Sequence, residues 1–318
     1  MLARKIIQAS FYIKGIFIMS FFNNHLGEFA ALLTAFFWTV TALSFESASH
    51  KIGSISVNIL RLIIGFAFLS IFNFIRRGFI LPVDASYENW IWLSLSGLVG
   101  FVFGDLFLIK SYTIIGSRFS MLIMTLVPPI TAFFSFIILS ERLTLFHYLG
   151  MTLTFSGIAL AIFSRNGKGD KLSLKLAPKG ILYAFGGAIG QALGLVLSKF
   201  GLKDYDPFSA TQIRIIAGIF GYTMLVTVLF RWGNVLIATR NKEGMLLTSL
   251  GAFFGPFLGV SFSLIAVKYT EAGIASTIMA LVPVFIILPA VLLFKQKVTF
   301  AELLGSIISV CGVALFFL

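Results

Sequence analysis

Two charge-free runs, MLIMTLVPPITAFFSFIIL (Met121 to Leu139) and IASTIMALVPVFIILPAVLLF (Ile274 to Phe294), set the strongest limit on what this chain can become. As a helix rising about 1.5 Å per residue, each is long enough to cross a hydrocarbon core about 30 Å thick. Similar runs recur along the whole chain. With 58% hydrophobic residues, 11% charged and a mean hydropathy of +1.01, a water-soluble fold is excluded. In lipid every backbone N–H and C=O needs a partner within the protein, so a spanning segment is a helix or a strand of a closed barrel. The ten-residue alternation of barrel strands is missing, and the expected fold is an all-α polytopic membrane protein.

The runs place ten helices at roughly 27–47, 55–75, 90–111, 117–139, 145–164, 179–200, 207–230, 244–267, 273–294 and 299–318. Apart from the stretches 76–89 and Arg165 to Lys179 the loops are short, which leaves no room for a soluble catalytic or nucleotide-binding domain. Residues 1–26 form a basic leader, read either as an interfacial helix or as an extension ahead of a start at Met19. The net charge of +12 comes from Lys and Arg grouped between apolar runs, which points to juxtamembrane anchoring rather than nucleic acid. Cys311 is the only cysteine, and His25, His50 and His147 are scattered, so neither an intrachain disulfide nor a metal centre is expected. No cofactor is expected; the expected partners are a small-molecule solute and the bilayer, with the chain a monomer or homodimer.

The halves repeat. RLIIG (Arg61 to Gly65) returns as RIIAG (Arg214 to Gly218), and the same shift sets Gly27 against Gly180. Beyond the third helix the shift grows slightly: Gly100 and Gly104 meet Gly255 and Gly259, LVP 126–128 meets LVP 281–283, and Gly150 and Gly157 meet Gly305 and Gly312. Five helices per repeat is an odd number, so the second copy enters the membrane from the opposite side. The expected organisation is therefore two inverted five-helix repeats, 27–164 and 179–318, joined by a loop at 165–178. Inverted repeats flanking a midplane site are the architecture of many secondary transporters.

The stretch LVPPITAFFSFIILSERLTLFHYLGMTLTFSGIAL (Leu126 to Leu160) resembles the end of an EamA repeat of the drug/metabolite transporter superfamily: a helical proline, a Glu-Arg-Leu-Thr junction and two glycines on the closing helix. AFFWTV, GDLFLIKSYTIIGSR and Arg61 are similar to other landmarks of that repeat. The second copy departs from the pattern, with Gln296 where Glu141 stands and KQKVT for SERLT, and Thr39 replaces the glycine that often follows the family's tryptophan. The resemblance implies transport of a small organic solute, with helices one, three, four, six, eight and nine around a central cavity.

Several residues could carry that transport. Asp105, past the centre of the third span, is either a proton-coupling or ammonium-binding carboxylate, or one satisfied by a Ser, Thr or Arg of the bundle. The repeat equivalents Arg61 and Arg214 suggest a structural role, snorkelling or capping carbonyls, with contact to an anionic solute as the alternative. Glu46 and Lys199 end helices one and six with opposite charges and could act in gating or coupling, or be solvated helix ends. Trp38 and Gln191 are repeat equivalents at mid-helix and are expected at the cavity, an aromatic face opposite an amide. Gly100, Gly104, Gly190, Gly194, Gly255 and Gly259, spaced by four, form stripes for close helix packing. Pro128 and Pro283 are expected to kink helices four and nine beside the cavity.

With no Walker A motif, the energy source is a solute or ion gradient. The resulting expectation is a secondary transporter of an amino-acid-like or amphipathic metabolite, working by alternating access across the cytoplasmic membrane. Its rivals are a polytopic enzyme acting on lipid-linked substrates, which needs clustered catalytic groups near one interface, and a scaffold or sensor that moves nothing.

Overall fold

The computed structural model describes residues 24–164, 177–286 and 300–317, and every regular element among them is helical. Helices α1 (Leu26–Ile52) and α2 (Ser54–Arg77) meet at Gly53, whose φ of 82° is backbone that favours glycine. A capping box between Ser86 and Asn89 starts α3 (Tyr87–Gly97), which runs through a π-helical turn (Leu98–Gly104) into α4 (Asp105–Met124). Gly116 breaks α4 internally with φ 77° and ψ 159°, and α5 (Val127–Leu139) and α6 (Leu145–Ser164) complete the first half.

The second half contains α7 (Pro178–Leu202), α8 (Pro207–Val228), a short α9 (Trp232–Ala238) and α10 (Lys242–Ala252). It continues through a second π-helical turn (Phe253–Gly259) into α11 (Val260–Tyr269), then α12 (Ala272–Met279) and α13 (Phe300–Ala314). Among the described residues, six stretches are long and apolar enough to cross a membrane: Leu26–Ile52, Ser54–Arg77, Tyr87–Ser117, Pro178–Leu202, Pro207–Val228 and Lys242–Tyr269. Four shorter apolar helices accompany them, Val127–Leu139, Leu145–Leu160, Ala272–Ile286 and Leu303–Phe317. Large side chains such as Phe36, Ile71, Phe133, Phe136 and Phe220 point outward. Such a surface suits a lipid solvent and would aggregate in water.

Glycines set how the halves meet. Gly104 lies against Gly190 and Gln191, and its equivalent Gly259 lies against Trp38, the equivalent of Gln191. Gly100 faces Gly194 while Gly255 faces Thr41, and Gly150 meets Gly312 while Gly157 meets Gly305. Each contact recurs with the two halves exchanged, the signature of a two-fold relation between like surfaces. The pairing order also makes α7 antiparallel to α3 and α4, and α13 antiparallel to α6. The two π-helical turns occupy equivalent positions, and only the second contains a proline, Pro256, which has no N–H for the ladder.

The expected proline kinks are instead breaks. Helix α4 ends at Met124 and α5 restarts at Val127; α12 ends at Met279 and helix resumes at 282. Both interruptions are tight turns, with Leu126 N–H donating to the Ile123 carbonyl at 3.0 Å and Leu281 N–H to Ile278 at 3.1 Å. Pro128 and Pro283 thus lie in the first turn of a restarted helix, where a missing N–H costs no ladder bond. The leader through residue 23, the loop at 165–176 and residues 287–299, including Gln296, lie outside the described residues.

Candidate functional site

The helix breaks and the π-helical turns border a cavity between the halves, with about 1050 Å³ of empty space when the open solvent at its mouth is included. Each π-helical turn is wider than an α-turn and changes which residues face inward, so Phe101 and Asp105 both reach the cavity wall. Asp105 lies near the midpoint of the long span Tyr87–Ser117, deeper than an end at residue 111 implied. Its side chain is 6% exposed and is held from both halves. Arg61 Nη2 donates to Asp105 Oδ2 at 2.5 Å, and Gln191 Nε2 donates to Oδ1. Asn58 orients the guanidinium by accepting from Arg61 Nε at 3.2 Å, and its own amide donates to the Ser54 carbonyl at 3.1 Å. This is the arrangement in which a buried ion pair survives desolvation, with Nε and Nη2 of the guanidinium and both carboxylate oxygens engaged.

Arg61 and Arg214 therefore do not snorkel. Each is 4% exposed and lines the cavity, because an arginine this far along α2 or α8 sits at the level of the π-helical turns. Arg214 stacks over the Phe101 ring at 4.9 Å, and its Nε has no hydrogen-bond partner among the described residues. Tyr222 closes the back of this wall by donating to the Phe101 carbonyl at 2.9 Å. Trp38 and Gln191 both line the cavity, with Phe45, Leu108, Met121 and Met279 supplying apolar wall. Among the described residues no group of three or more His, Cys, Asp or Glu converges as a metal site requires.

Glu46 and Lys199 are both part-exposed and are not paired with each other. The Glu46 carboxylate accepts the Ser117 N–H at 3.2 Å and the Ser117 hydroxyl, capping the helix that starts after the Gly116 break. In the other half the equivalent helix start, the Ala272 N–H, donates to Glu141 at 2.9 Å. Lys199 holds that carboxylate at 2.5 Å and donates to the Thr270 carbonyl at 2.6 Å. Each helix start thus receives the negative charge its dipole favours, but by different routes. Removing the cap in Glu46→Ala is expected to cost about 1–2 kcal/mol, seen as a lower midpoint of thermal unfolding in detergent.

At one rim the halves are clasped by polar groups at and just beyond the ends of the spans Ser54–Arg77 and Pro207–Val228. Arg77 bonds Asp84 and Ser209, Arg76 pairs with Asp206, and Tyr205 donates to Asp84 at 2.9 Å. Burial, reinforced by the bond to Asp84, pushes the Tyr205 phenol up to about 12. Burial opposes ionisation of Asp206, yet Arg76 and the Ser209 N–H outweigh it and hold that carboxyl below its usual range.

The EamA-like transporter family matches the chain twice, over residues 25–163 and 178–318. This chain belongs to the EamA-like transporter family. The two EamA matches fall on the halves whose glycine contacts interchange, so the repeat seen in the packing is the family's own unit. Twenty-eight chains of solved structures also match. One crystal structure does so with a TM-score of 0.69 at 18% identity, covering 91% of this EamA-like chain and 95% of the other, so the fold is shared over nearly its whole length. No curated protein matches.

Sequence reasoning missed Asn58, Tyr222 and the inward direction of both arginines. Asn58 was findable, since it lies one helical turn before Arg61. Nothing local marks Tyr222, whose acceptor is in the other half of the EamA-like chain.

Proposed function

We propose that this EamA-like protein is a gradient-driven secondary transporter that carries a small organic solute across the cytoplasmic membrane by alternating access. Ten spans in two inverted five-helix repeats, 27–164 and 179–318, are the organisation this reading assumes. The observation that carries it is the Arg61–Asp105–Gln191 cluster, a charged group at mid-span drawn from both repeats and lining the cavity between them. A buried charge network costs more than well-packed apolar side chains, and in a membrane it marks a solute or ion pathway.

Within this reading Trp38 and Gln191 contact the solute. Asp105 is the coupling group, because a proton on its carboxylate would release Arg61. The Glu46–Ser117 and Lys199–Glu141 contacts act as closures that form and break between states, and the helix breaks at Pro128 and Pro283 allow half-helices to tilt. Reaction chemistry on a lipid-linked substrate is less well supported, since Asp105, the carboxylate of the cavity wall, is already committed to Arg61 and Gln191. Counterflow by the purified protein in liposomes loaded with a pooled metabolite mixture, with and without a pH gradient, tests the proposal. Exchange of at least one solute is expected, and chemical change of lipid without exchange would favour an enzyme.

A further inference from the structure

We infer that Arg214 anchors the anionic group of the solute, and that the solute is a small carboxylate with an apolar body. The term solute rests on the transporter reading; the anion site rests on geometry. The two arginines occupy equivalent places in the repeats, but their surroundings differ at every polar position. Around Arg61 stand Asn58, Asp105 and Gln191, all hydrogen-bonded to one another or to the guanidinium. The same register puts Thr211, Val260 and Trp38 at the equivalent positions in the other half. Thr211 donates to the Pro207 carbonyl of its own helix at 2.8 Å, and Val260, in the cavity wall, has no polar atom to offer.

Arg214 is consequently a guanidinium that is 4% exposed, stacked on Phe101, with Nε unpartnered among the described residues. Among the described residues the cavity wall holds two guanidinium groups and one carboxylate, which leaves one positive charge in excess there. Arginine does not deprotonate in proteins, so the charge cannot be relieved by losing a proton. A ligand carboxylate placed where Asp105 stands in the other half would restore the missing partner and accept two parallel N–H bonds. The Trp38 indole N–H, which makes no hydrogen bond among the described residues, lies in the same wall as a further donor. Phe45, Leu108, Met121 and Met279 accommodate an apolar body. A phosphate monoester, at about −1.5 to −2 charges near neutral pH, would overshoot the single free charge, and an amine would be repelled.

The test is calorimetric binding to the purified full-length chain. The probes are 3-phenylpropionate and hexanoate as carboxylates, 3-phenylpropionamide as the neutral isostere, 3-phenylpropylamine as the cation, and phenyl phosphate for the phosphate or lipid-headgroup arm. Saturable carboxylate binding is expected, with each other probe weaker by at least about thirtyfold. Val260→Asp supplies the absent internal partner, so it is expected to raise the unfolding midpoint and to abolish carboxylate binding, whereas the uncharged Val260→Asn weakens binding without abolishing it. Tighter binding of the amide, amine or phosphate overturns the assignment. So does wild-type affinity in Val260→Asp, or no carboxylate binding by folded, monodisperse protein. Counterflow of a neutral or cationic solute would leave the transporter reading standing and remove the anion site; carboxylate binding without counterflow of any solute would do the reverse.

Discussion

Asp105→Asn is expected to lose about 3–5 kcal/mol of stability and to abolish counterflow. The substitution keeps the size of the side chain but removes the carboxylate that pairs with Arg61, leaving a guanidinium 4% exposed with no counter-ion at 2.5 Å. Gln191 exchanges a charged acceptor for a neutral one at the same time, so the polar link between the two halves across the cavity is weakened. The double variant Arg61→Met/Asp105→Leu discriminates between a cost of the missing carboxylate and a cost of the unpaired arginine. Because a buried pair replaced by apolar groups is often neutral, the double variant is expected to regain most of the stability while remaining inactive. Thermal unfolding in detergent and counterflow in liposomes read the two effects separately. A loss below about 1 kcal/mol in Asp105→Asn would mean that water or lipid already compensates Arg61.

The second large effect is steric. Gly190→Ala places a Cβ 2.5 Å from Gly104 Cα and 2.8 Å from Gly104 N, and backbone cannot rotate out of the way. The reciprocal Gly104→Ala is milder, with its nearest atom at 3.1 Å, and Gly233→Ala meets nothing within 4 Å. Overpacking one methyl group costs about 1–3 kcal/mol, while helix propensity returns about 1 kcal/mol for replacing glycine. The expected order of stability is therefore Gly233→Ala at or above wild type, then Gly104→Ala, then Gly190→Ala well below. Transport should follow the same order, because the π-helical turn ending at Gly104 and α7 would be held apart where the proposed alternating access needs the halves to slide. Equal midpoints for the three variants would show that the antiparallel contact of α4 and α7 relaxes freely.

Much of the framework was legible in the sequence, and for a physical reason. A bilayer admits few backbone solutions, so charge-free runs locate helices, and the pairs Gly100 with Gly255 and Gly104 with Gly259 reveal the repeat register because close helix contact tolerates little else. The wall of the site was less legible. Arg61 and Asp105 are 44 positions apart and Gln191 is 86 from Asp105, so their convergence follows from packing and not from local pattern. The helix breaks were misread as kinks because the apolar runs carry no charge or cap to mark an interruption, and Gly116 looks in sequence like any packing glycine. Carrying the register one residue past Gly104 and Gly259 sets Asp105 against Val260, and that single comparison separates the two arginines.

Access to the cavity from both faces of the membrane is the central claim, and one labelling measurement tests it most directly. Ser276 lines the cavity and is 3% exposed, and Cys311 is the sole native cysteine, so Ser276→Cys in a Cys311→Ser background reports on the cavity alone. In oriented vesicles a membrane-impermeant thiol reagent is applied to one face at a time while the solute gradient is set in either direction. Modification from each face is expected, at rates that move in opposite directions when the gradient is reversed. Modification from one face only, or rates from the two faces that rise and fall together, would contradict alternating access.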